Sequence, residues 1–236
     1  MKSEELTCPQ CGCCHTKKNG ITPQGKQRYR CKNPHFGKSF LFLLSYTYRA
    51  CIPLLRQLIV PMTLNSSGIH DTARVLKISP TTVLSVLSRA ASTVPEPRVP
   101  PRIKDLELDE LWSFIGHKKH QCWLWLARNR RTGRIAAFEL GRRTDRSCRR
   151  LIRKLSRSQV QHFYTDDWKS YGKCLNPEQH HIGKSGTQGI ERCNLNFRTR
   201  LKRLQRRTIC FSRSPQMHHC VIKLYVHYLN SKQTHF

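Results

Sequence analysis

Apolar residues change their period along the chain. From Leu54 to Leu87 they fall at helical spacing: Leu54, Leu55, Leu58, Ile59 and Met62 share one face, Asn65-Ser66-Ser67-Gly68 breaks the run, and Ile69, Ala73 and Leu76 follow at i, i+4 and i+7. Ser79-Pro80 opens a third helix, because Ser can accept orphan N–H bonds and Pro in the first turn forfeits none. That helix is expected to bury Val83, Val86 and Leu87. Beyond residue 104 the period shortens toward two. Leu106–Gly116, Cys122–Ala127 and Ile135–Leu140 read as an antiparallel meander, with Arg130-Arg131-Thr132-Gly133 as its second turn. Cys148, Leu151, Ile152 and Leu155 then mark a helix, and His162–Thr165 a fourth strand ending on Asp166. Ile190, Cys193, Phe197, Leu201 and Leu204 form the stripe of a last long helix.

These patterns divide the chain. Residues 1–45 are Cys-rich with short Gly turns, 46–93 are helical, and 104–236 alternate strand and helix, a mixed α/β class. Between the last two, residues 94–103 hold Pro95, Pro97, Pro100 and Pro101, which favour an extended connector. A length of 236 residues with 38% apolar content suffices for one sizeable core plus small modules. No run approaches the ~20 apolar residues of a membrane span, Phe40–Leu44 coming nearest. Met1–Thr7 carries two Glu and no apolar signal core, so the expectation is a cytoplasmic protein with its 12 cysteines reduced.

Charge adds a partner. Lys and Arg number 43 against 14 Asp and Glu, a formal net charge of +29 that repels itself in a compact state unless a polyanion neutralises it. Nucleic acid fits best, ahead of acidic lipid or a merely solvated surface, because the charge runs through patterned segments rather than a tail. On the Ser79-Pro80 helix, Thr81, Thr82, Ser85 and Arg89 face away from the apolar side and have the chemistry to reach base edges or phosphates. Lys184, after His180-His181, is a candidate phosphate contact. Arg198–Arg207, with Lys202 and Arg203, reads as a DNA-backbone face.

Two sets of residues suit metals. Cys8-Pro9-Gln10-Cys11 has the spacing of a zinc knuckle, and Cys31 begins a second one without a Cys to complete it; His35 is the candidate fourth ligand, with Cys13, Cys14 and His15 as alternatives. A metal-free module packed on Tyr29, Phe36, Phe40 and Phe42 is the other reading. In the last block acids are scarce, and Asp109 within a strand, Asp166 at a strand end and Glu191 on a helix could hold Mg²⁺ ions for in-line phosphodiester displacement, or could merely offset neighbouring cations. Strand alternation turns Glu110 and Asp167 the other way, which leaves them as backups; Cys193 and the tryptophans read as core.

The set Leu108-Asp109-Glu110-Leu111-Trp112, Tyr164-Thr165-Asp166 and Gly189-Ile190-Glu191-Arg192-Cys193-Asn194 resembles the transposases of the insertion-sequence-one family, and the likeness extends to Cys8-Pro9-Gln10-Cys11 and Gly68–Ser79. The resemblance implies an RNase H-like catalytic domain at 104–236 with a mixed sheet flanked by helices, preceded by a zinc-ribbon-like module and a helix-turn-helix. It implies a D-D-E triad of Asp109, Asp166 and Glu191 using two Mg²⁺ ions, and a zinc finger, whose second knuckle relatives finish with a Cys where Phe36 stands here. Implied partners are the duplex DNA of the terminal inverted repeats and of the target, with a homodimer or higher oligomer to bring two ends together in a nucleoid-associated complex. A non-catalytic DNA-binding repressor derived from such an element, and a nuclease that cuts without joining, are the alternatives.

Overall fold

A computed structural model describes residues 6–34, 41–44 and 48–232. The N-terminal part is a three-stranded antiparallel sheet of β1 (Thr16–Ile21), β2 (Gln27–Cys31) and β3 (Leu41–Leu43). Its small core holds Cys8, Cys31 and Phe42, with Tyr29 stacked on Phe42 at 5.8 Å.

Helices α1 (Pro53–Leu64), α2 (Ile69–Leu76) and α3 (Pro80–Thr93) follow. The Ser79 hydroxyl accepts the Thr82 N–H at 3.1 Å, as the Ser-Pro start requires. Val83 and Leu87 are buried and Val86 partly so. The buried face of α1 differs from its sequence reading: Ile59, Thr63 and Leu64 point inward, whereas Leu54 and Leu58 are exposed. At ~100° per residue Leu54 and Leu58 stand about 100–140° around the helix from Ile59, so packing centred on Ile59 and Thr63 turns them outward.

The main sheet has the order β6-β5-β4-β7-β8, from β4 (Arg102–Ile115), β5 (His117–Asn129), β6 (Ile135–Gly141), β7 (Gln159–Thr165) and β8 (His180–Ile182). β4, β5 and β6 are the antiparallel meander; β7 lies parallel to β4, and β8 parallel to β7. Side chains alternate across β4. Leu106 and Leu108 pack with Cys148, Leu151 and Leu155 of α4 (Asp145–Leu155) and with Tyr171 of α5 (Lys169–Cys174). Leu111 faces the other way, with Leu124 and Leu126 of β5, onto Ile190, Cys193 and Phe197 of α6 (Gln188–Arg200) and Val221 of α7 (Pro215–Lys232). Helix α3 packs on α7, so the helical block and the sheet share one continuous core.

Two differences from the sequence reading stand out. The last long helix is α7, and α6 ends at Arg200; a 3-10 turn at Lys202–Leu204 still carries Leu201 and Leu204 into the core. Among the described residues no helix is long and apolar enough to cross a membrane.

Candidate active site

Asp109 sits at the middle of β4 on the side facing α6. Its Oδ1 accepts the Glu110 N–H at 2.7 Å and its Oδ2 accepts Asn194 Nδ2 of α6 at 2.6 Å. Burial pushes its pKa up to about 7, the nearby Glu110 and Asp166 charges adding to the rise against the Glu110 N–H and Asn194 bonds. Asp166 follows the last residue of β7, where its Oδ1 accepts the Trp168 N–H at 3.2 Å. Two carboxylates from adjacent parallel strands thus come near enough to feel one another's charge, where β7 ends beside the middle of β4.

Glu110 occupies the opposite face, as alternation requires, yet it is no idle neighbour. It is buried, accepts from Arg143 Nε at 2.6 Å and from the Tyr171 hydroxyl at 2.7 Å, and burial raises its pKa despite those bonds. The Arg143 guanidinium lies 3.7 Å from the ring centre of Trp168 and 4.8 Å from that of Trp123. Through Glu110, Arg143 and Trp168, the turn after Asp166 is therefore clamped to the back of β4.

Glu191 lies exposed in the first turn of α6, and Thr187 Oγ1 donates to its Oε1 at 3.2 Å. One turn on, buried Asn194 ties the helix to Asp109, while its own Oδ1 has no partner within the protein. The helix can seat this low because residue 189 is Gly. A Cβ there would lie 2.8 Å from both carboxylate oxygens of Glu107, which is 2% exposed and paired with Arg128 at 2.6 Å. Arg198, two turns after Glu191, is half-buried; burial and nearby Arg206 hold its pKa below the ordinary guanidinium value, while the charge of Asp109 pulls the other way. Asp109, Asp166, Asn194 and Arg198 thus form one corner, with Glu191 at its edge. Asp109, Asp166 and Glu191 do not close into a cluster: among the described residues, Cys8, Cys11 and Cys31 are the group whose ligand atoms all lie within 4.8 Å.

The sequence pattern of the IS1 transposase family matches residues 103–234, more than half the chain. The chain belongs to the IS1 transposase family. The pattern of the InsA C-terminal domain matches residues 46–90 of this transposase. The Shigella dysenteriae insertion element iso-IS1n protein InsB is 49% identical over 120 residues, covering 51% of this chain and 92% of its own. The Escherichia coli K12 insertion element IS1 4 protein InsB is 36% identical over 163 residues, covering 69% of this chain and 90% of its own. A chain from a simian T-cell lymphotropic virus intasome in complex with PP2A regulatory subunit B56 gamma shares 14% identity at a TM-score of 0.34, over 61% of this chain and 59% of that one, too distant a likeness to bear on the function.

The residues of this transposase singled out for DNA contact are placed unevenly. Thr81, Ser85 and Arg89 are exposed at four-residue steps along α3. Thr82 is half-buried, its hydroxyl held by Tyr48 Oη at 2.6 Å and Ser79 Oγ at 2.9 Å. Lys184 is exposed in a 3-10 turn and Lys202 half-buried in another. Arg203 does not lie on an outer face. It is 8% exposed, and its Nη1 donates to Ser212 Oγ at 2.9 Å and to the Met217 carbonyl at 3.3 Å, because the chain leaving α6 folds back on itself and needs an internal donor.

In the N-terminal module Cys11 Sγ lies 3.6 Å from Cys31 Sγ. The Cys8 N–H donates to the Cys13 carbonyl at 2.9 Å, and Gly12 at φ +67° closes the knuckle, a left-handed geometry that favours Gly. A hydrogen bond from the Cys13 backbone, then one from Asn33, lowers the Cys11 pKa to about 7. Cys31 accepts the Asn33 N–H, yet desolvation and the Cys11 and Cys8 thiols push it up to about 11. Three soft sulfur donors with one readily ionised thiol suit Zn²⁺. His35 lies outside the described residues.

Sequence reasoning missed Asn194, Arg143, Tyr171 and the Glu107–Arg128 pair. Asn194 alone carried a readable signal, standing three positions after Glu191 on the same flank of its helix.

Proposed function

We propose that this transposase binds the terminal inverted repeats of its element and carries out Mg²⁺-dependent strand cleavage followed by strand transfer, with Asp109, Asp166 and Glu191 as the catalytic carboxylates. The observation that carries the reading is the Asn194 to Asp109 bond of 2.6 Å, which ties α6, the helix bearing Glu191 one turn earlier, to the stretch of β4 beside the end of β7. The strand order β6-β5-β4-β7-β8, antiparallel on one side of β4 and parallel on the other, supports an RNase H-like domain at 104–236. Residues 46–93 are read as a helix-turn-helix that presents Thr81, Ser85 and Arg89 to DNA, residues 94–103 as a linker, and residues 1–45 as a zinc-ribbon-like module. Two ends must be held at once, which calls for at least a homodimer.

The donor set at the corner fits a hard cation. Asp109 and Asp166 repel one another, and the orphaned Asn194 oxygen beside them is the kind of group that a cation or its hydration shell satisfies. Asp109, Asp166 and Glu191 would hold Mg²⁺, which when bound supplies electrostatic stabilisation of the attacking and leaving oxygens. The chain does the rest. Asn194 fixes the Asp109 carboxylate, Trp168 and Arg143 fix the turn carrying Asp166, and Arg198 offers positive charge to an incoming phosphate. Water is the nucleophile for cleavage and the freed 3′-hydroxyl for transfer, so one phosphodiester is exchanged for another without a protein nucleophile or an energy source. Cys8, Cys11 and Cys31 would hold Zn²⁺ in a structural role.

The test uses the full chain, labelled duplex carrying the element's terminal repeat, and Mg²⁺. Joined products are expected from the wild type. Asp109→Asn and Asp166→Asn should abolish them, a loss of at least ~10³-fold, while end binding persists. Joining retained by Asp109→Asn overturns the assignment. Products that are cut but never joined mean a nuclease, and a shifted band without chemistry means a repressor.

A further inference from the structure

Helix α4 is two-sided in an unusual way. Its inner side buries Cys148, Leu151 and Leu155. Arg150 and Lys154, on the flank toward β6, each reach Glu139 at 2.9 Å and also bond the Leu140 and Phe138 carbonyls. On the outer side Arg146, Arg149 and Arg153 recur every three or four residues, and Arg142 and Arg157 stand in the segments just before and just after the helix; all five are exposed. Among the described residues, no ion pair within 4.0 Å involves any of these five; Asp145, the acid at the head of the helix, is engaged by Ser170 at 2.7 Å and Lys173 at 3.2 Å. Asp145, whose charge Arg149 feels, is shared with Lys173, so this ridge of guanidinium groups carries a positive excess at a cost in self-repulsion.

We propose that this outer ridge of α4 is a second, sequence-independent site for duplex DNA, gripping the phosphate backbone of the target, separate from the end-binding surface of α3. Spacing, chemistry and placement support it together. Residues three or four apart on a helix are ~4.5–6 Å apart along its axis, so Arg146 to Arg153 covers about 10 Å, a length over which B-form duplex presents about six phosphates on its two strands. Guanidinium groups bind phosphate oxygens in two-pronged fashion and carry no base preference when held at the backbone. The segment leading into α4 lies behind the corner, since Arg143, which precedes the helix, touches Glu110 and Trp168 beside Asp166. The ridge then runs back along the face of the sheet opposite α6 and α7, whereas α3 packs on α7. A duplex on the ridge is therefore not the one read by α3. The proposal rests on the reading that the Asp109 corner acts on DNA, and it adds where the second DNA partner lies.

The experiment measures binding of the full chain to a labelled random-sequence duplex between 50 and 200 mM salt. The variant Arg146→Gln, Arg149→Gln, Arg153→Gln, Arg157→Gln should lower the slope of log K against log salt by about 3–4, at ~0.9 for each phosphate no longer neutralised. A control of equal charge loss at scattered exposed cations, Lys17→Gln, Arg98→Gln, Lys104→Gln, Arg131→Gln, should change it by less than about 1. Replacing the same four arginines by Lys should restore most of the slope. Equal slopes for the Gln variant and the scattered control overturn the ridge, as does an unchanged slope. These outcomes do not depend on chemistry: a wild type that neither cuts nor joins would defeat the proposed function and leave the slope comparison readable.

Discussion

Two arginine-rich stretches flank the corner of Asp109 and Asp166 and use their charge in different ways. The stretch Arg198–Arg207 looks in the sequence like a DNA face, yet Arg198 donates to the Leu204 carbonyl at 3.0 Å, Arg200 to Asn65 at 2.6 Å, and Arg203 is buried; Arg206 and Arg207 remain exposed. Around α4 the proportions reverse, with one ridge wholly outward. Helix α4 turns Arg150 and Lys154 toward β6 and leaves Arg146, Arg149 and Arg153 facing out; beyond Arg200 the helix stops and a 3-10 turn follows, where the chain folds back and brings Arg198 to the Leu204 carbonyl and Arg203 to the Met217 carbonyl. Cation density along a sequence does not distinguish a phosphate partner from a carbonyl partner.

The comparison is sharpest at Arg203. Arg203→Ala removes a buried donor from Ser212 and the Met217 carbonyl, and should lower stability by about 2–3 kcal/mol in denaturant unfolding. Arg206→Ala with Arg207→Ala should leave unfolding within about 0.5 kcal/mol and instead weaken duplex binding. If Arg203→Ala unfolded like wild type and lost DNA affinity, the division between internal and external arginines would fail.

A second internal cation is tested through the glycine above it. Gly189→Ala places a methyl group against Arg128 and 2.8 Å from the Glu107 carboxylate, so α6 must lift or the pair must part. The expected cost is about 1–2 kcal/mol, accompanied by a loss of strand joining larger than any loss of end binding, because the lifted helix carries Asn194 away from Asp109. Joining at the wild-type rate would show that the low seating of α6 is not needed.

These cases mark what the sequence discloses. Alternation in Leu106–Gly116 and Cys122–Ala127 locates β4 and β5, and it places Asp109 and Glu110 on opposite faces, as the structure does. Helix α7 escapes because Val221, Ile222, Leu224, Tyr225 and Val226 are apolar almost all round and rich in β-branched and aromatic residues, which reads as strand as readily as helix. A start signal is nonetheless present: Ser214-Pro215 repeats the Ser79-Pro80 device, and Ser214 Oγ accepts the Met217 N–H at 3.3 Å. The interactions that support the corner are beyond reach for a different reason. Glu110 to Tyr171 and Asp109 to Asn194 join residues 61 and 85 positions apart, and no local periodicity reports such meetings.

The buried Arg203 network also contains a titrating group, and this gives the most discriminating effect. His218 is 0% exposed, with Nδ1 2.8 Å from Ser212 Oγ and Nε2 3.2 Å from Ser113 Oγ. Burial, then the charges of Arg203 and His219, lower its pKa from 6.5 to about 3. A histidine depressed on folding is neutral in the native state while the unfolded chain takes up a proton below pH 6.5, so its contribution is present above that pH and is lost as pH falls toward 3. Between pH 7 and 5 the loss should approach about 1–2 kcal/mol, and His218→Gln should flatten that part of the pH profile. Arg203→Met should flatten it only in part, since desolvation, the larger cause, remains when the neighbouring charge is gone. An unchanged pH profile in Arg203→Met, together with wild-type stability, would mean that Arg203 turns outward in solution and that the two arginine-rich stretches are alike after all.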